Sequence, residues 1–297
     1  MPVRGLVNGR LKFDSVLFAT DFSPASYPAS LYATALAAHF RAVLTLVHVF
    51  LPSQSAGDAE ARAGIISQQR TLLLQQLELT AHALTPTATS LLLEGDPSVI
   101  LPQAADESRN AILLLGTHGG NSVERHLLGS VAENILRRSA IPTLTVGQHV
   151  ATAGNVLPFQ RILYATDTSP VAAQAAPLAC AFARSFCSRL EVVSVIDESE
   201  GAVARIVAEL DFRTQQELSA NLAEQCVHFE QPRSVTYSRR AHDEILGRLK
   251  KDDCDLLVLG IEQKSSLGFS DRNSGAFRII AESPCPVLTI TDASCRS

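Results

Sequence analysis

Through the first 149 residues, short apolar blocks alternate with longer stretches whose apolar positions recur at helical spacing. Residues 15–19 form a short apolar run that ends at Thr20-Asp21. Residues 24–40 follow with Leu31, Ala35 and Ala38 at helical spacing, and 43–50 is a second run rich in β-branched residues. Residues 58–84 read as a long helix, with Ile65, Ile66, Leu72, Leu73 and Leu77 expected on one face. Residues 90–93 give a third strand. Asp96-Pro97 then reads as an N-cap followed by proline at the first helical position. Pro102 inside that helix lacks a backbone donor, which predicts an irregular start. Residues 112–115 and 143–146 are the last two strands, with a helix over about 130–138 between them. Strands that are apolar throughout, separated by helices, predict a parallel sheet covered on both faces. Ligands on such sheets bind beyond the carboxyl ends of the strands, near the topological switch, so the residues just after strands carry the candidate chemistry.

The pattern then repeats. FDSVLFATDFSP at 13–24 recurs as FQRILYATDTSP at 159–170, and the offset of 146 holds without a gap for 13–50 against 159–196. AILLLG at 111–116 faces DLLVLG at 255–260 at an offset of 144, and Pro142 matches Pro286 at that offset. A period this long means duplicated domains rather than a solenoid of small units. Residues 147–158 hold Gly, Thr, Asn and Pro and no apolar period. The expected division is a domain over 1–149, a linker over 150–157 and a second domain over 158–297, in keeping with a length of 297 residues.

Composition narrows the class. Apolar residues make up 46% and charged residues 19%, which is globular and excludes disorder of the low-hydrophobicity kind. No run approaches the ~20 apolar residues of a membrane-spanning helix, and residues 1–12 hold no apolar block of secretory type; a cytoplasmic protein with no membrane partner is expected. The net charge is −5. Residues 1–149 carry 10 Lys and Arg against 11 Asp and Glu, and the rest carries 15 against 19. Neither half has the basic excess of a phosphate-backbone binder, so no nucleic-acid partner is expected. The six cysteines (Cys180, Cys187, Cys226, Cys254, Cys285 and Cys295) all lie in the second half and match no CxxC metal knuckle. Without a secretion signal they read as reduced thiols, mostly small core residues.

One loop stands out. After the fourth strand comes Gly116-Thr-His-Gly119-Gly120, then Gly129-Ser130 at the start of a helix. Glycine lets backbone N–H groups approach an anion without a Cβ in the way, and the free N–H groups and dipole of a helix N-terminus favour negative charge. Ser130 can cap the helix or donate to a phosphate oxygen, while Val131, Ile135 and Leu136 are expected to hold the helix on the sheet. The plainer reading is a tight loop with an N-cap serine. Arg125 offsets phosphate charge or is a solvated cation; Arg137 and Arg138 in the last turn suit the helix dipole and read as structural.

The spacing Gly-x2-Gly-x9-Gly-Ser at Gly116, Gly119, Gly129 and Ser130, the wording Leu127-Leu128-Gly129-Ser130-Val131-Ala132, the first-strand Ala19-Thr20-Asp21 and the second-strand His48-Val49 together resemble the universal stress protein family, as two tandem copies covering nearly all of both halves. The resemblance implies an α/β fold of two tandem Rossmann-like (adenine nucleotide alpha hydrolase-like) domains. Each would be a five-stranded parallel sheet flanked by helices. It implies ATP at one edge of the first sheet, with Mg2+ arriving on the phosphates. By that match Ala19 and Thr20 would line the base pocket and Asp21 would bond the ribose or the adenine side. Val49 would offer backbone contacts to adenine. Leu115, Gly116, His118 and Gly119 would surround the ribose and phosphates, and Gly129, Ser130, Val131 and Ala132 would bind the phosphate tail. Asp21 also fits an N-cap of the following helix, and His118 a solvated loop side chain.

In the second copy Glu262 stands where His118 stood, Gln263 replaces Gly119 and Asn273 replaces Gly129, while Asp167, Val195, Gly260 and Ser274 remain. Two lost glycines and a carboxylate at the phosphate position predict much weaker ATP binding there, or none; the base-side Ala165, Thr166 and Asp167 keep an adenosine-only ligand open. No GxxxxGK[ST], no GxGxxG after the first strand and no GxSxG is present. His118 and His126 lack a clear third ligand, so no metal site is expected. No catalytic residue is assigned, because the one carboxylate placed near the nucleotide would sit by the ribose. A nucleotide-dependent stress-response module is the first reading, with a weak ATP hydrolase and a ligand-free tandem scaffold as alternatives. The resemblance implies that the closing strands 143–146 and 287–290 pair within the chain, covering exposed edges as an intramolecular pseudo-dimer. A homodimer of chains stays open, with the helix bearing Gln68, Gln69, Gln75 and Gln76 as a candidate partner surface or simply a solvated face.

Overall fold

The computed structural model describes residues 4–52, 59–108, 110–117, 128–152, 156–166, 170–196, 234–237, 241–261 and 272–291. The first half begins with a hairpin, β1 (Leu6–Val7) and β2 (Arg10–Leu11), followed by β3 (Ser15–Ala19), a 3-10 turn over Pro24–Ser26, α1 (Tyr27–Phe40), β4 (Val43–Phe50), α2 (Ala59–Leu84), β5 (Thr89–Glu94), α3 (Pro97–Glu107), β6 (Ala111–Gly116), α4 (Ser130–Arg138) and β7 (Thr143–Val146). The second half supplies β8 (Arg161–Thr166), α5 (Pro170–Phe186), β9 (Arg189–Ile196), β10 (Ser234–Tyr237), α6 (Ala241–Lys251), β11 (Leu256–Ile261), α7 (Arg272–Glu282) and β12 (Val287–Thr291).

The strands of each half form the expected five-stranded parallel sheet, in the order β5-β4-β3-β6-β7 and β10-β9-β8-β11-β12. The chain moves outward from β3 to β4 and β5, then returns to the other side of β3 as β6, so the switch point lies between β3 and β6. Alternation along the strands builds two cores. Val16, Phe18, Leu44, Leu46, Ile112 and Leu114 pack with α1, α2 and α5; Leu17, Val47, Leu113 and Leu115 pack with α3 and α4 on the opposite face.

The two sheets join into one of ten strands through β7 and β12, which pair antiparallel. Leu144 stands opposite Leu288, its own counterpart at the offset of 144, so the pairing has a local two-fold axis there. The hydroxyls obey it: Thr145 Oγ1 donates to the Val287 carbonyl at 3.2 Å and Thr289 Oγ1 to the Thr143 carbonyl at 3.1 Å. All four positions are buried, and these bonds satisfy hydroxyls that would otherwise be costly to enclose. Beside the strands, Arg137 of α4 bonds Glu133 and lies over the Phe277 ring of the second half, 4.3 Å from its centroid. Phe13, Phe40, Phe159, Phe182 and Phe186 form a connected aromatic cluster across the halves.

Several expectations need correction. The helix expected over 24–40 opens as a separate 3-10 turn and becomes α-helical only at Tyr27. The helix α3 begins regularly, because Asp96 Oδ1 accepts from Ser98 N at 2.8 Å; Pro102 sits inside it without interrupting it. On α2, Ile65 and Leu72 do not share the buried face of Leu77, being 53% and 59% exposed. Of the described cysteines Cys180, Cys254 and Cys285 are buried, in keeping with mostly core thiols, and Cys187 is exposed; burial pushes the Cys254 and Cys285 thiols up to about 12. The hairpin was not anticipated. Asn8 and Gly9 both take positive φ, as a two-residue I′ turn requires, and the Gly9 carbonyl accepts from Arg184 of α5.

Candidate functional site

At the carboxyl ends of β3, β4 and β6, over the switch point, lies a cavity of about 360 Å³. Ten of the twelve expected site residues line it: Ala19, Thr20, Asp21, Val49, Leu115, Gly116, Gly129, Ser130, Val131 and Ala132. The other two, His118 and Gly119, lie outside the described residues, as do Arg125 and His126. Each strand delivers its last residues to the cavity because parallel strands all end on the same side of the sheet.

The floor is held by main-chain bonds. Thr20 N donates to the Val47 carbonyl at 3.0 Å, and Thr20 Oγ1 accepts from Phe22 N at 3.0 Å and lies 3.3 Å from Ser26 Oγ. The Thr20 carbonyl is 2.7 Å from His48 Nδ1. A carbonyl only accepts, so Nδ1 carries a proton and donates it there. The His48 ring also packs on Phe22, with centroids 4.6 Å apart. Asp21 Oδ1 accepts from Ser23 N at 3.0 Å and from Ser23 Oγ at 2.6 Å. Its carboxylate therefore shapes the turn ahead of the 3-10 helix and lines the cavity, but it is not the expected N-cap: the cap positions are Ser23 and Ser26.

The far wall is the start of α4. Gly129, with extended φ and ψ, is its N-cap, and Gly129 N donates to the Thr117 carbonyl at 2.8 Å. Ser130 is thus the first helical residue, not the cap, and makes no side-chain capping bond. The first intrahelical bond runs from Glu133 N to the Gly129 carbonyl at 2.9 Å. The N–H groups of Ser130, Val131 and Ala132 have no partner within the helix. Val131 is 43% exposed and faces the cavity rather than holding α4 on the sheet; the buried Ile135 and Leu136 do that.

Ser26, Val47, His48, Pro97, Leu101, Thr117 and Ile135 also line the cavity without having been assigned to the site. A signal existed for some of them. Asp96-Pro97 was legible as a helix start directly after a strand, and such starts share the carboxyl edge of the sheet with the loops. Leu101 follows one turn later on the same face.

The corresponding region of the second half differs. Asn273, which replaces the N-cap Gly129, already lies inside α7, which begins at Arg272. Gly260, the counterpart of Gly116, is retained for a packing reason. A Cβ there would lie 2.6 Å from the Val171 carbonyl oxygen at the start of α5. Asp167, Glu262 and Gln263 lie outside the described residues. Among the described residues no group of three or more His, Cys, Asp or Glu is placed to hold a metal ion, and no helix is long and apolar enough to cross a membrane.

The model of the universal stress protein family matches the chain twice, over residues 12–147 and 158–291. A universal stress protein of Methanocaldococcus jannaschii is 26% identical over 144 residues, 47% of this chain and 85% of that protein. The crystal structure of a universal stress protein from Archaeoglobus fulgidus overlaps 94% of this chain and 98% of its own at a TM-score of 0.69 and 19% identity, a likeness of fold. A universal stress protein solved in complex with cAMP is 28% identical over 46% of this chain and 97% of its own, at a TM-score of 0.34. With both halves matched by one family model and the doubled architecture shared along nearly its whole length, the chain belongs to the universal stress protein family as a tandem of two copies.

Proposed function

We propose that this chain is a nucleotide-dependent regulatory module of the stress response whose first half, 1–149, binds ATP, and whose second half, 158–297, binds it much more weakly or not at all. The observation that carries this is the convergence of ten expected site residues on one cavity at the switch point. Its volume lies within the range of small-molecule sites. Ala19, Val47, Val49 and Leu101 give it apolar walls suited to a base. The first-turn N–H groups of α4, with the positive end of the helix dipole, suit a phosphate tail. Gly116, His118 and Gly119 would complete the contacts to ribose and phosphates, and Mg2+ would enter with the nucleotide, held by phosphate oxygens and water.

A binder is favoured over an efficient hydrolase. Asp21 is the one carboxylate among the described lining residues, and it is engaged with Ser23. His48 lines the cavity as well, with its Nδ1 on the Thr20 carbonyl and its ring against Phe22. The antiparallel β7–β12 pair supports reading the two halves as an internal pseudo-dimer, and a cytoplasmic location is part of the same reading.

The test is calorimetric titration of the full chain with ATP and with adenosine, repeated on Ser130→Glu. Ser130 is exposed at the first helical position, where an acid suits the dipole and adds about 0.5 kcal/mol to helix stability. The variant should keep its melting temperature and its adenosine binding and lose at least tenfold in ATP affinity. ATP binding that is unaffected by the substitution, or absent at millimolar nucleotide, would overturn the proposal.

A further inference from the structure

The helix α2 carries two apolar stripes, and the fold uses one. Leu77 and Ala81 are fully buried against the sheet, with Ile66, Leu73 and Leu84 partly covered beside them. On the opposite side Ile65, Leu72 and Leu79 stand 53%, 59% and 72% exposed. They recur every seven residues, so they form one line along the helix. Gln68 and Gln75 flank that line on one side, Gln69 and Gln76 on the other. At about 100° per residue, all seven positions lie within roughly 60° of the Leu72 direction. Arg62, Arg70 and Glu78 fall outside this strip, which is therefore uncharged over four turns of a helix otherwise bearing charge.

The strip is also palindromic about Leu72. Reversing the chain direction there exchanges Ile65 with Leu79, Gln68 with Gln76, and Gln69 with Gln75. A two-fold axis through Leu72 would thus set apolar against apolar and amide against amide. A glutamine side chain both donates and accepts, so two of them satisfy each other. No like charges meet across such an axis. A two-fold axis sets this face against itself, and a face that is complementary to its own reverse suits an isologous contact. The edge strand β7 is already paired with β12, so it is closed to another chain.

We propose that the Ile65–Leu72–Leu79 face of α2 is a homodimer interface, on which a second copy of this chain packs antiparallel about Leu72. Ile65 and Leu79 are ~21 Å apart along the axis. A contact confined to this face belongs at the low end of specific interfaces, below ~1,200 Å² in total, the class of weak and transient associations.

Sedimentation equilibrium of the full chain, from low micromolar to hundreds of micromolar, reads this directly. The unsubstituted chain should pass from one to two chains in mass. Leu72→Glu and Leu72→Lys, each made at an exposed position and each with an unchanged melting temperature, should stay monomeric over the same range. An equimolar mixture of the two should recover the dimer, because the two-fold brings position 72 against itself. A chain that is monomeric throughout, a Leu72→Glu variant that dimerises within tenfold of the unsubstituted chain, or a mixture that fails to recover would each overturn the proposal.

Discussion

A glycine at the end of a strand can serve a ligand or serve the fold, and the second use is visible at Gly260. Gly116 lines the cavity of the first half. Gly260 stands at the same place in the second half, where the start of α5 leaves no room for a Cβ. Its retention, where Gln263 and Asn273 replace the other glycines, follows from that contact. Gly260→Ala is expected to destabilise the chain by about 1–3 kcal/mol, as overpacking does, and a urea unfolding midpoint equal to that of the unsubstituted chain would refute the steric account. Most of the site was legible at this scale. Ala19, Thr20, Asp21 and Val49 follow strands, and Gly129 with Ser130 opens a helix, so motif and periodicity alone placed them on one edge of the sheet. Val131 was misplaced because the helical period says which residues share a face but not which face meets the sheet. Thr117 and Ser26 were missed because their roles depend on a neighbouring strand and on a turn, not on a pattern in their own segment.

At the level of elements, the strands were the most legible: 15–19, 43–50 and 143–146 agree residue for residue with β3, β4 and β7. Buried parallel strands are short and apolar throughout, so their limits coincide with the limits of the apolar run. The long helix was harder. Its apolar residues form two stripes about 100° or more apart, and the sequence does not say which one the sheet selects. The structure selects Leu77 and Ala81. Leu77→Ala should therefore cost about 2–4 kcal/mol through the cavity it leaves, whereas Leu79→Ala should stay within ~0.5 kcal/mol. Equal losses in chemical denaturation of the monomer would mean that α2 is rotated from the orientation described. The hairpin β1–β2 was invisible to periodicity because two-residue strands have none; its Asn8-Gly9 turn was the available signal. The contrast between α4, capped by Gly129, and α7, already helical at Asn273, is the element-level form of the difference between the two halves.

Over the whole molecule, the internal repeat becomes a local two-fold axis at Leu144 and Leu288, and equivalent residues from the two copies meet across it. His39 and Ser185 are one such pair at the offset of 146, joined at 3.0 Å, and the His39 ring stacks on Phe186 with centroids 4.3 Å apart. Burial holds the imidazole pKa below its usual 6.5. The unfolded chain therefore takes up this proton at a higher pH than the folded chain does, so the contribution is present above about pH 6.5 and is lost as the pH falls through the lowered folded value. The melting temperature should decline between about pH 7.5 and pH 5.5, and His39→Gln should flatten that decline; identical profiles would contradict the assignment. The duplicated fold thus keeps its symmetry where the copies pack and departs from it at the starts of α4 and α7. The number of ATP molecules bound per chain tests that asymmetry most directly. Calorimetry on the full 297-residue chain should return a single site. Two sites of comparable affinity, or none at millimolar ATP, would contradict the account.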